Sequence, residues 1–288
     1  MKNYYSITKS AHILLILGIM TLGFTTINAQ PKPKYGVMTY NKAINISEKQ
    51  GMLIQKIAKD YLYMVENSDD EKASRNLRTS KIIFEKQNEI LFKNSSNKIT
   101  KSKIKKVSNL WSTFKKLVES TPNFDSAKKI LNLNTDLLKE TENVVRSIAI
   151  ESKNANKMIK GLANDKSYNE KDIELKKIIT VSGRQRMLAQ RLALYYLANH
   201  PTLKDKNSDQ MLKNIYNEID GMNTPLLLSD FDNAEIDEKI ANALTIWELI
   251  KQDKLRKQGY KHKEIYDVSN KLTRAYNEIT TLYEHTKL

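Results

Sequence analysis

The sequence predicts an all-α fold of tandem antiparallel four-helix bundles, and three observations carry that prediction. Apolar residues recur at spacings of three and four among Lys, Glu, Gln and Asn, with β alternation almost absent. Proline and glycine are scarce and fall between these periodic stretches. A segment near the start also returns 135 positions later.

Eight helices follow in order. Pro31 and Pro33 set an extended start, and the first helix runs from about 40 to 66, where Asn67-Ser68-Asp69-Asp70 breaks it. The second covers about 71–92 and ends at Asn94-Ser95-Ser96-Asn97. The third, about 101–119, stops before Thr121-Pro122-Asn123, and the fourth runs from about 125 to 162. After Asn164-Asp165-Lys166-Ser167 the fifth spans about 170–199, closed by His200-Pro201. The sixth covers about 208–221, the seventh about 236–258 and the eighth about 262–285. Asn, Asp and Ser side chains at the breaks can accept from the unpaired amides of a helix start, whereas proline cannot continue a helix.

The repeat groups these helices four and four. Laying Ile44–Leu62 over Ile179–Leu197 gives identities that include Ser47/Ser182, Gln50/Gln185, Met52/Met187, Gln55/Gln190 and Tyr61/Tyr196. The only two tryptophans, Trp111 and Trp247, fall in the third helix of each half. The fourth helices align more weakly, through Leu138/Leu272, Asn143/Asn277 and Val145/Ile279. Periodic apolar positions match by chance between helices, but two glutamines, a serine and the tryptophans do not readily stay in register. Trp111, Trp247, Met52 and Met187 read as packing anchors. The expected organisation is therefore 30–165 for the first module and 166–288 for the second. The long fourth helix, joined to the fifth without proline, favours an end-to-end, elongated arrangement.

Residues 1–29 read as a secretory signal peptide: Lys2 and Lys9 precede an apolar run from Ile13 to Phe24, and Ala29 offers a small residue for cleavage. The run is short for a spanning helix, and no later stretch approaches one. The chain is expected to be exported, to the periplasm or beyond. Without cysteine it has no disulfide framework and no thiolate metal or redox chemistry. The formal net charge of +15, or +13 without Lys2 and Lys9, permits anionic partners. It is dispersed, and export argues against nucleic acid. The basic stretches 98–106 and 251–257 read as solvated helix faces. No histidine pair has ligand spacing and no nucleophile motif or phosphate loop is present, so an enzyme, a metal site or a cofactor is not expected.

The fifth helix is chemically unusual. Ser182, Gln185, Arg186, Gln190 and Arg191 interrupt an otherwise apolar seam. Small Ser182, Ala189 and Ala193 allow another helix to approach closely, and the arginine fork suits an oxyanion. An arginine in such a seam needs a partner, either a captured anion or a carboxylate from a neighbouring helix. The residues leave both open.

The segment Ser182-Gly-Arg-Gln-Arg-Met-Leu-Ala-Gln-Arg-Leu-Ala193 resembles the signature first helix of the PilJ-type domain, the N-terminal region of type IV pili methyl-accepting chemotaxis transducers. It is similar, too, to the sensing helix of nitrate/nitrite sensor kinases. The resemblance implies two tandem copies of a periplasmic helical sensor module. It further implies an anion held by Arg186 at a dimer seam, with Arg191 matching the arginine one turn later. The first copy departs from the pattern, with Gly51 and Lys56 at those two places. A second departure is expected from the sequence, which reads without the membrane helix and signalling domain that follow the module in family receptors. The expected function is an exported, non-enzymatic module that binds a small oxyanion of the nitrate/nitrite class or an envelope or signalling protein partner, with a possible homodimer through the first helix of the second module. The alternative is a structural or protein-interaction bundle with no small-molecule ligand.

Overall fold

The computed structural model describes residues 33–158, 166–203, 205–254 and 261–288. The segment read as a signal peptide lies outside them. Among the described residues the fold is all-α apart from one hairpin, and its eight helices pack as two groups of four. The hairpin, β1 (Lys34–Tyr35) and β2 (Met38–Thr39), turns at Gly36 with φ +60°. A Cβ there would also collide with Asn94. The sequence predicts an extended start here, and the hairpin is the finding.

The first copy comprises α1 (Tyr40–Met64), α2 (Glu71–Asn94), α3 (Lys98–Val118) and α4 (Phe124–Met158). The second comprises α5 (Lys166–Ala198), α6 (Ser208–Leu227), α7 (Ala234–Lys254) and α8 (His262–His285). Polar side chains start most of these helices. Thr39, Asp70, Asn97, Asn123 and Asn233 each accept a backbone N–H from the first turn that follows. The expected break at Gly221 does not occur, because α6 continues through Pro225 into its last turn. The carbonyl that Pro225 leaves without a helix partner belongs to Gly221, which is exposed.

In each copy the first helix is flanked by the second and fourth, and the third packs on the fourth. The repeat survives in side-chain detail. Trp111 donates its Nε1–H to Glu85 of α2 at 3.0 Å, and Trp247 donates to Asp220 of α6 at 2.7 Å. Lys115 and Lys251 reach the same two carboxylates. Met52 and Met187 are both buried. The burial pattern of α4 returns in α8 at an offset of 135, as in Ile130/Ile265, Leu137/Leu272 and Ile148/Tyr283, so the offset of 134 drawn from sequence is one short.

The two copies do not join end to end. Among the described residues the most extensive helix pair is α1 with α5, lying side by side. Ser47, Gly51, Ser182 and Gly183 lie along this pair, and small residues let two helix backbones come close over several turns. The length of α4, which had favoured stacking, is spent alongside α1 and α3 instead.

Candidate functional site

The seam between the copies is built on α1 and α5, which run parallel. Asn45 meets Arg186, a Cβ on Gly183 would touch Glu48, and Glu66 reaches His200. Helix α8 crosses to this seam in the opposite sense and contacts both. Lys59 donates to Asn270 at 2.7 Å, and Tyr63 stacks on Tyr266 with ring centres 4.2 Å apart. At one end Glu66 sits between His200 Nε2 and His262 Nδ1, at 2.9 and 2.8 Å.

Arg186 is buried at the seam, with 1% of its surface exposed. Its Nη1 donates to Asn277 Oδ1 at 2.9 Å and its Nη2 to Asn45 Oδ1 at 2.8 Å, while Nε–H has no acceptor. Both direct side-chain partners are therefore neutral amides. Burial lowers its pKa to about 10, opposed by the nearby charges of Glu48 and Glu284, so it stays a cation at neutral pH. Glu48 responds in the other direction. Burial raises its pKa to about 7, against the pull of Arg186 and Arg184.

That shift has a measurable consequence. Glu48 holds a proton in the folded state between its ordinary pKa and about 7, whereas the unfolded chain has released it. Its contribution to stability is present at low pH and is lost as pH rises toward 7. The charged groups facing it are Arg186, Arg184, Glu142 and Arg146. Glu48→Gln is expected to flatten the pH dependence of urea unfolding between pH 5 and 8 and to raise stability at pH 8 relative to wild type. An unchanged profile would show that Glu48 is ionised throughout.

The other residues singled out in the fifth helix are held inside their own copy. Ser182 Oγ donates to Ile179 O, as Ser47 does to Ile44 O. Gln185 donates to Ile219 O and Asn223 of α6, and its counterpart Gln50 donates to Gln87 of α2. Gln190 donates to Asn270 and Thr273 of α8, and Gln55 exchanges two hydrogen bonds with Asn134 of α4. These bonds bind the first helix of each copy to its neighbours, which accounts for their return in the repeat. The Arg191 guanidinium lies over the Tyr195 ring at 5.2 Å. Of the five residues, only Arg186 and Gln190 meet α8 at the seam.

The two flanks of the seam differ. On one, Arg184 bonds Glu142 at 2.7 Å and also Glu218, closing the space to a slot of about 10 Å³. On the other, α1, α2, α5 and α8 leave an open groove of about 540 Å³. Its wall carries Lys49, Lys56, Lys72, Lys271 and Arg274 against a single carboxylate, Asp267. Lys56 pairs with Asp60, and Lys72 pairs with Asp267. Lys49, Lys271 and Arg274 have no ion-pair partner among the described residues. Of the residues predicted to bind a ligand only Gln190 lines the groove, which was not legible in the sequence because its charges come from three helices in two copies. Among the described residues, no group of three or more His, Cys, Asp or Glu is placed to hold a metal ion. No family model, curated protein or solved structure matches this chain.

Proposed function

We propose that the chain is an exported, non-enzymatic binding module that takes a small anion at the seam between its two copies. The observation that carries this reading is unbalanced positive charge at that seam. Buried Arg186 meets amide oxygens, and of the five cations in the groove beside it Lys49, Lys271 and Arg274 form no ion pair among the described residues. Desolvated and converging cations make an anion the complementary ligand. The resemblance of residues 182–193 to the PilJ-type first helix supports the same reading. There the arginine serves a seam between two subunits, and here α1 covers that face of α5 within one chain. Because the guanidinium is enclosed, this reading assigns the entering anion to the groove rather than to Arg186 itself.

Nitrate, nitrite, phosphate and citrate titrated against a chloride control at fixed ionic strength should separate binding from general screening. At least one is expected to raise the thermal midpoint saturably, with a gain of about 2.7 kcal/mol at a hundredfold excess over Kd. Equal, unsaturating shifts with every salt would overturn the anion reading and leave a structural or protein-interaction bundle.

A further inference from the structure

Resting on the seam-binding reading, the geometry points to a ligand class: the groove binds a small organic anion carrying two or more phosphate or carboxylate groups, and Arg186 and Lys59 are positioning residues for it. The first argument is the donor inventory. Asn277 Oδ1 is taken from inside by Arg186, and Asn270 Oδ1 by Lys59 and Gln190. Both asparagines line the groove, and their Nδ2 amides have no partner among the described residues. The buried side chains of Arg186 and Lys59 thus hold two amides by their oxygens and leave the NH₂ groups as donors. Together with Lys49, Lys271 and Arg274, the groove offers N–H groups and positive charge, with its one carboxylate already paired to Lys72. Such a lining suits a ligand made of acceptors.

The second argument is size and charge. A space of about 540 Å³ lies in the range that takes organic ligands, and one nitrate would leave most of the cations unmet. The third is divergence between the copies. Gln55 and Asn134 satisfy each other reciprocally in the first copy. In the second, Lys59 shares Asn270 Oδ1, and the Gln190 Oε1 is left without a donor. The departure from the repeat falls beside the open groove, while the opposite flank is closed by Arg184 and its two glutamates.

The test is isothermal titration of the full exported chain with citrate, pyrophosphate and nitrate, on wild type and three variants. Wild type should bind citrate or pyrophosphate saturably, about tenfold or more tightly than nitrate. Lys49→Ala combined with Arg274→Ala should lose about tenfold or more in affinity with little change in melting. Asn277→Asp keeps an oxygen for Arg186 and replaces the outward amide with a carboxylate oxygen. It should melt no lower than wild type yet lose polyanion binding, a result that a merely structural asparagine would not give. Lys139→Ala, on the opposite side of the first copy, should bind as wild type does. Unchanged binding in Asn277→Asp would overturn the positioning role. Nitrate binding as tight as that of citrate and pyrophosphate would overturn the ligand class and leave the seam-binding reading standing. No saturable heat with any of the three would overturn both.

Discussion

Arg186→Ala is expected to lower the stability of the folded chain by about 3–5 kcal/mol, read from urea unfolding. The side chain is almost fully buried, and its two direct side-chain partners are the oxygens of Asn45 and Asn277. Alanine removes the donors to both, opens a void, and takes away the cation that favours ionised Glu48. The loss should be larger at pH 8 than at pH 5, because only at the higher pH does folded Glu48 carry a charge that leans on Arg186. Arg186→Met fills most of the volume without a charge and should be less damaging by about 2 kcal/mol. Equal losses in the two variants would mean that the hydrogen bonds, not the packing, dominate at this position.

Gly183→Leu is expected to cost about 3 kcal/mol or more, and for a different reason. A Cβ at Gly183 would lie 2.8 Å from Glu48 Cβ and 3.0 Å from its Cγ. Those atoms sit next to the α1 backbone and cannot swing away, so α1 and α5 would have to separate. Gly51 makes the natural contrast. A Cβ there would be 3.2 Å from Leu138 Cδ1, the far end of a flexible side chain. Gly51→Ala should therefore be close to neutral, with a gain of up to about 1 kcal/mol in helix propensity offsetting the tight contact. Parallel thermal melts of the two glycine variants would show whether the close approach lies at Gly183.

The repeat was legible because the residues that keep it are polar and sit in buried places. Gln50, Gln55, Gln185 and Gln190 each tie a first helix to a neighbour, so their register is fixed by hydrogen bonds as well as by apolar spacing. The same facts made Ser182 and Gln185 look like ligand residues, since a polar side chain on an apolar stripe reads alike whether it faces a ligand or an internal acceptor. Helical periodicity identifies the face of a helix and says nothing of which copy lies against it. The side-by-side packing of α1 and α5 was therefore out of reach, and with it the groove. Lys49, Lys72 and Arg274 are ordinary surface residues in one dimension and converge only when α8 lies across α1. The helix breaks were read to within a few residues wherever Asn or Asp caps the next helix. The exception is Gly221, where α6 continues through Pro225.

The central claim, an anion taken on one flank of an intramolecular seam, is tested most directly by amide hydrogen exchange with and without citrate. Bound anion should slow exchange in α1 around residues 49–56 and in α8 around residues 267–277. It should leave the opposite flank, residues 136–142 of α4 and 214–222 of α6, unchanged. Equal protection of both flanks, or none on the α8 side at citrate concentrations that raise the melting midpoint, would contradict the account.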